Sequence, residues 1–222
     1  MDIGRYNFYR EVHKGIRALL GSLVEQAGRT DFQDEAEVAS LRRATADAFE
    51  LLEAHARVET RFVMPLLRAH AGEIGKTLDD DHEEQTRVMA GLLAGVEGVD
   101  AADASAAVKG HAFAVALSRF VGELLVHMAD EEERGLPALW AAVDDSVLQR
   151  THQELLASLQ PDEMARDLAH MFPAMNASER LAMLVRIRAT APPEAYRFVS
   201  GLARRVLSPA DWDRLEGRLA AA

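Results

Sequence analysis

Apolar residues recur along this chain at intervals of three and four, the period of helices that bury one face. Phe8, Val12, Ile16, Leu19, Leu20 and Leu23 mark helix A, from Arg5 to about Ala27, with Gly28 placed to end it. Thr30-Asp31-Phe32-Gln33 has the form of a capping box. Helix B follows through Val38, Leu41, Ala48, Phe49, Leu52, His55, Glu59 and Phe62. Pro65 should kink or end it, because proline lacks an amide donor and its ring strikes the preceding turn. Gly72 and Gly75 mark a turn into helix C, opened by Thr77 to Asp81 and running to about Val96. After a polar connection from Gly98 to Ser105, helix D runs from about Ala106 through Phe113, Leu117, Phe120, Leu124, His127 and Glu131 toward Gly135. Four amphipathic helices joined by short connections predict an all-α, up-down-up-down four-helix bundle.

Past Trp140 the pattern continues in shorter pieces. The helix signals are Val147 to Leu159, Pro161 to about Phe172 with Pro173 as the stop, and Asn176-Ala177-Ser178-Glu179, a capping box opening a segment to Ala189. Pro193 to Leu207 follows, and Ser208-Pro209-Ala210-Asp211 caps a last segment through Trp212 and Leu219. Charge changes at the same place: residues 146–222 hold ten Lys+Arg against nine Asp+Glu, whereas residues 1–145 hold fifteen against twenty-seven, a net of −12. The expected organisation is a bundle over 1–145 and a helical C-terminal region over 146–222, in which nothing looks catalytic.

The chain of 222 residues carries a formal net charge of −11, which argues against a nucleic-acid partner and an anionic membrane surface, since phosphate binding needs clustered lysine and arginine. With no cysteine, disulfides, thiolate zinc sites and thiol catalysis are excluded, so any metal must be held mainly by nitrogen and oxygen. Met1 to His13 shows neither a secretory signal nor an anchor. No later segment is expected to reach the apolar length of a membrane span, and a cytoplasmic protein is the default expectation. No nucleophile elbow, glycine-rich phosphate loop or dinucleotide fingerprint is evident.

One motif occurs twice. His55 and Glu59, followed by Pro65, return as His127 and Glu131, followed by Pro137, all at a shift of 72. A histidine and a glutamate four apart share one helix face, so each copy points an imidazole and a carboxylate at the same spot. A shift of 69 carries His13 onto His82, Leu20 onto Met89, Leu23 onto Leu92 and Val24 onto Leu93. Helices A and B therefore read as a unit repeated in C and D, with a pseudo-twofold axis on which four histidines and two glutamates converge. A lone His-x3-Glu is most often a surface pair worth a few tenths of a kcal/mol. Two copies with the same proline offset, each preceded by another stripe histidine, point instead to a metal site.

The set His13, His55, Glu59, His82, His127 and Glu131 resembles the hemerythrin-like, HHE cation-binding family over roughly the first 140 residues. The resemblance implies a four-helix bundle with a non-haem di-iron centre, two oxo- or hydroxo-bridged iron ions that bind dioxygen, peroxide or nitric oxide. It also implies ligand roles: His13 and His55 on one metal, His82 and His127 on the other, with Glu59 and Glu131 bridging. Manganese and zinc accept the same donors. Oxygen-carrying members have a second histidine four residues after the first on the third helix; here that position is Thr86, which implies a more open centre, suited to sensing or peroxide chemistry. Glu132 competes with Glu131 for the second bridge, although the repeat with Glu59 favours Glu131.

Three functional readings follow: a di-iron protein binding a small diatomic or peroxide ligand for sensing, storage or stress response; a di-iron enzyme with peroxidase-like or nitric-oxide-handling activity; and a metal-free helical interaction module. The C-terminal helices could meet a protein partner or a second copy. Tyr9 is either core or a hydrogen-bond donor to the open site. His70, His111, His152 and His170 read as solvated or core histidines, Trp140 and Trp212 as anchors of the C-terminal region, the Asp79 to Glu84 acidic cluster as complementary to a helix dipole, and Asp144-Asp145 as a solvated turn.

Overall fold

The computed structural model describes residues 4–221, and among them every regular element is helical. In order these are α1 (Arg10–Arg29), α2 (Glu35–Val58), a π-turn π1 (Glu59–Val63), α3 (Met64–His70), α4 (Gly72–Glu97), α5 (Ala106–Asp130), a second π-turn π2 (Glu131–Gly135), α6 (Leu136–Ala142), α7 (Asp145–Ser158), α8 (Pro161–Ala174), α9 (Ala177–Thr190), α10 (Pro193–Val206) and α11 (Pro209–Ala220). The all-α bundle with extra C-terminal helices is thus what the chain forms. Its backbone contacts divide the described residues into two units: residues 4–8 with 19–158, and residues 9–18 with 159–221. The first runs past the change of charge at 146, because α7 packs against π1.

Within the first unit α4 is central, packing against α2, α3 and α5, while α3 packs on α6. The core is aliphatic and aromatic: Leu20, Leu41, Phe49, Leu67, Leu78, Leu117 and Met128 are fully or almost fully buried. Several helix starts differ from expectation. Helix α1 begins at Arg10, and the residues before it serve as a strap: Arg5 donates to Asp145 Oδ1 (2.6 Å) and to the carbonyls of Trp140 (2.7 Å) and Val143 (2.8 Å), while Trp140 Nε1 donates to Tyr6 O (2.8 Å). Asp145 is therefore a half-buried anchor for the strap, and Trp140 fastens the N-terminal segment instead of the C-terminal region. Thr30 does not cap α2; its hydroxyl donates back to Gln26 O, and Asp34 is the cap, accepting from the amides of Ala36 and Glu37. Asp34 wins because it stands directly before the first helical residue, where its carboxylate reaches two orphan amides.

Helix α4 opens at Gly72, which holds φ at +56°, a conformation that favours glycine. The acidic cluster Asp79 to Glu84 accordingly falls in the helix interior, and its members serve as partners in place of dipole complements: Asp79 receives a fork of bonds from Arg68, and Asp81 approaches His127. Helices α5, π2 and α6 run without interruption from Ala106 to Ala142, and this stretch is long and apolar enough to cross a bilayer, contrary to expectation. A bundle helix meets the same test when its buried stripe, here Phe113, Leu117, Phe120 and Leu124, is backed by apolar residues outside, here Val108, Val115 and Val126.

In the second unit α8 packs on α10, α9 on α10 and α11, around Leu168, Phe172, Leu184, Leu202, Ala203 and Leu215. Trp212 packs on this cluster as expected. The two caps read from the sequence are present: Asn176 accepts from Ser178 and Glu179 while Glu179 accepts from Asn176 N, and Ser208 Oγ accepts from Asp211 N. Pro173 does not stop α8, which continues to Ala174; buried Arg180 takes the Phe172 and Pro173 carbonyls at 2.8 and 3.0 Å, satisfying the helix end. His170 and His152 are half-buried, and His70 and His111 are exposed.

Two predictions follow from the packing. A Cβ at Gly75 would lie 2.5 Å from Leu67 O and 2.7 Å from Leu67 C, so Gly75→Ala must push α3 off α4. A loss of about 1–3 kcal/mol in urea unfolding is expected, and an unchanged midpoint would show that the contact yields freely. In the second unit burial pushes the Asp167 carboxyl up to about 6, with Arg166 opposing and Glu163 adding. A carboxyl raised in the folded state contributes stability at pH below its unfolded value and loses it as pH rises through about 6. Asp167→Asn should therefore raise Tm at neutral pH, the gain vanishing in acid.

Candidate metal centre

His55 lies in the last turn of α2 and Glu59 opens π1; His127 lies in the last turn of α5 and Glu131 opens π2. Each HxxxE pair therefore straddles the join between an α-helix and a π-turn. The prolines explain the join. Pro65 and Pro137 cannot donate to the carbonyl four residues back, and their rings press on it. The backbone widens one turn earlier: Met64 N donates to Glu59 O and Leu136 N to Glu131 O, both five residues apart. The helix then continues with the proline in its first turn, where no donor is required. Pro65 accordingly neither ends helix B nor leaves it a uniform α-helix.

The bundle brings five of the six expected side chains together. Glu59 is 2% exposed and spans two imidazoles: Oε1 is 3.1 Å from His55 Nε2, and Oε2 is 3.4 Å from His82 Nε2. His82 Nε2 is 3.2 Å from His127 Nε2, and His127 Nε2 is 3.5 Å from Glu131 Oε1. Glu131 is wholly buried whereas Glu132 is half-buried, so the inward carboxylate of that pair is Glu131. His82 sits in the third turn of α4, later than expected, because that helix starts at Gly72. His13, on the opening turns of α1, belongs to the second unit; it is fully buried and its ring stacks on Tyr9 with centroids 4.7 Å apart.

Behind the inward nitrogens stand further polar groups. His127 Nδ1 lies 3.1 Å from Asp81 Oδ2, and His82 Nδ1 lies 3.4 Å from Thr60 Oγ1. With Nδ1 carrying the proton in each ring, both Nε2 lone pairs are left facing inward. Thr86 is exposed, and its hydroxyl donates to His82 O at 2.9 Å, so it takes no part in the cluster.

The chain from residue 5 to 139 matches the model of the hemerythrin HHE cation-binding domain. It belongs to that family. Neither a curated protein nor a solved structure matches it. A cation fits the donor set of this hemerythrin domain on its own geometry. One ligand atom from each of His82, His127 and Glu131 lies within 4.8 Å of the others. Two nitrogens 3.2 Å apart have the separation of adjacent ligands on one first-row ion, about 3 Å for bonds of about 2.1 Å. Imidazole and carboxylate without thiolate suit iron, manganese or zinc.

Burial draws the His127 imidazole down, but hydrogen bonding and charge from Glu131, with Asp81 and Glu59 adding, prevail and raise its pKa to about 9. A histidine raised from 6.5 to about 9 stabilises the fold fully below 6.5, and that contribution is lost as pH climbs through 9. In the metal-free hemerythrin domain, His127→Gln should flatten the fall in urea midpoint between those limits. A variant that keeps the full wild-type slope would mean that another group sets it.

Proposed function

We propose that this protein holds two iron ions in the bundle and binds dioxygen or a related small ligand, peroxide or nitric oxide, as a cytoplasmic sensing, storage or stress-response protein. The observation that carries the reading is Glu59, one carboxylate whose two oxygens face imidazoles from opposite halves of the duplication, His55 and His82. That is the placement of a bridging ligand. His13 joins His55 and Glu59 in this proposal, because the duplication that pairs it with His82 gives it the same place in the other half. Iron bound there would supply reversible redox chemistry and an open position for a small ligand.

The chain's own residues would do the rest. Four imidazoles supply neutral nitrogen donors, and two carboxylates offset the charge of the cations. Burial of His13, Glu59, His82, His127 and Glu131 keeps bulk water from the donor atoms. We place the output of such a sensor in the second unit, toward a protein partner or a second copy.

A second reading, turnover of peroxide or nitric oxide, is favoured by Thr86. Where oxygen carriers have a further histidine, this side chain is exposed and bonded to backbone, leaving two imidazoles per glutamate. Protein purified from iron-replete cells should contain about two irons per chain, with oxo-bridge charge-transfer bands in the near ultraviolet, and Glu59→Ala should lose most of both. Iron-free protein that also fails to take up ferrous ion would refute the di-iron reading. Stable reversible oxygenation of the ferrous protein would refute the open centre, and steady consumption of peroxide or nitric oxide would select the enzymatic alternative.

A further inference from the structure

The duplication that builds the bundle does not extend to every group around the cluster. A shift of 69 maps His82 onto His13, and the same shift maps Asp81 onto Val12. Half of the duplicated plan therefore places a carboxylate immediately before its helix histidine, and the other half places an isopropyl group. In the structure that carboxylate reaches across to the opposite helix. Asp81 Oδ2, on α4, lies 3.1 Å from His127 Nδ1, on α5, while the same ring presents Nε2 to His82 and Glu131. The Asp81 side chain is 41% exposed and that of His127 is 4% exposed, so the bond runs from the rim of the bundle to its interior. The neighbours of Asp81 are engaged elsewhere or face water: Asp79 pairs with Arg68, and Asp80 is exposed.

We propose that Asp81 is a positioning residue: it holds the His127 imidazole as the Nδ1–H tautomer and aims Nε2 at the cation shared with His82 and Glu131. An imidazole that donates from one nitrogen is fixed in orientation and presents a lone pair, with no proton, on the other, and a carboxylate acceptor makes that nitrogen a stronger donor. Among the described residues, the group facing His82 Nδ1 is the Thr60 hydroxyl, at 3.4 Å, an uncharged and more distant partner. Asp81 thus supports one of the two cations and not the other, a difference that the paired HxxxE motifs do not contain. The inference rests on the two-cation reading above, but its effect on the His127 ring can be read without any metal.

The experiment compares wild type, Asp81→Ala, Asp81→Asn and, as a control that removes the same charge without touching His127, Asp80→Asn. Metal-free proteins are titrated with zinc against a chelating indicator. Asp81→Ala should weaken one of two zinc sites by about ten- to a hundredfold and leave the other within about twofold, with Asp81→Asn intermediate. Asp80→Asn should match wild type at both. In parallel, nitrogen-15 spectra of the metal-free proteins, taken in alkaline solution where the imidazoles are neutral, read the tautomer directly. Wild type should show His127 protonated at Nδ1, and Asp81→Ala should show protonation shifted to Nε2 or divided between the nitrogens. Equal loss at both sites in Asp81→Ala and Asp80→Asn would overturn the proposal in favour of a general charge effect, and an unaltered tautomer in Asp81→Ala would overturn it outright. Wild type binding fewer than two zinc ions would count against the two-cation reading, and the metal-free tautomer would still decide the role of Asp81.

Discussion

A carboxylate taken out of water loses several kcal/mol of solvation unless something replaces it, and this bundle buries two of them at its centre, Glu59 and Glu131. The surrounding architecture follows from that demand. Three imidazole nitrogens, from His55, His82 and His127, stand within 3.5 Å of a glutamate oxygen in the first unit. The elements that carry them are tied to one another: α4 contacts α2 and α5, and Arg68 on α3 forks onto Asp79 of α4. A polar cluster of this kind is poor material for stability alone, since well-packed apolar side chains of the same volume would hold the bundle at least as well. Its retention at the core is the signature of a site, and the donor types are those that a hard-to-borderline cation replaces water with.

The duplication made most of this legible in the chain. His-x3-Glu is weak evidence by itself, but its recurrence with the trailing proline fixed which faces had to meet, and His82, Glu59 and Glu131 are where that pattern puts them. The partners Asp81 and Thr60 were not legible, because they are adjacent to cluster residues in sequence yet serve rings on other helices, and a polar residue beside a ligand carries no sign of where it reaches. The helix starts failed for a related reason. Thr30 and Thr77 are good cap residues in isolation, but an N-cap is the residue that directly precedes the first helical turn, a place held by Asp34 before α2 and by Ala71, ahead of the positive-φ Gly72, before α4. In the second unit, where the caps at Asn176 and Ser208 had no nearby rival, local sequence was enough.

The apolar character of α5 through α6 shows how composition and pattern can disagree. Length and hydropathy alone would permit this stretch to cross a bilayer. The periodic burial of Phe113, Leu117, Phe120 and Leu124, ending in His127 and Glu131, matches the stripe of a bundle helix, since a charged pair placed on that stripe needs the partners that α4 supplies in Asp81 and His82.

The prolines, finally, bear on the site more directly than as helix breakers. A bond spanning five residues takes up one residue more than an α turn, which resets the helix face by about 100° for everything that follows. The resets in the two copies coincide with the glutamates, and the burial pattern after them is the same: Val63, Met64 and Leu67 in one, Gly135, Leu136 and Leu139 in the other. One helix can thereby turn a histidine and a glutamate into the cluster and then turn an aliphatic stripe into the core below it. The difference within the pattern, valine against glycine, has a local cause: a Cβ at Gly135 would stand 3.3 Å from the side chains of both Leu67 and Leu78, so the second copy gives up a side chain where α3 and α4 approach it. Proline at a fixed distance after each glutamate is therefore read best as the device that lets a metal-ligand face and a packing face occupy the same helix without competing for the same positions.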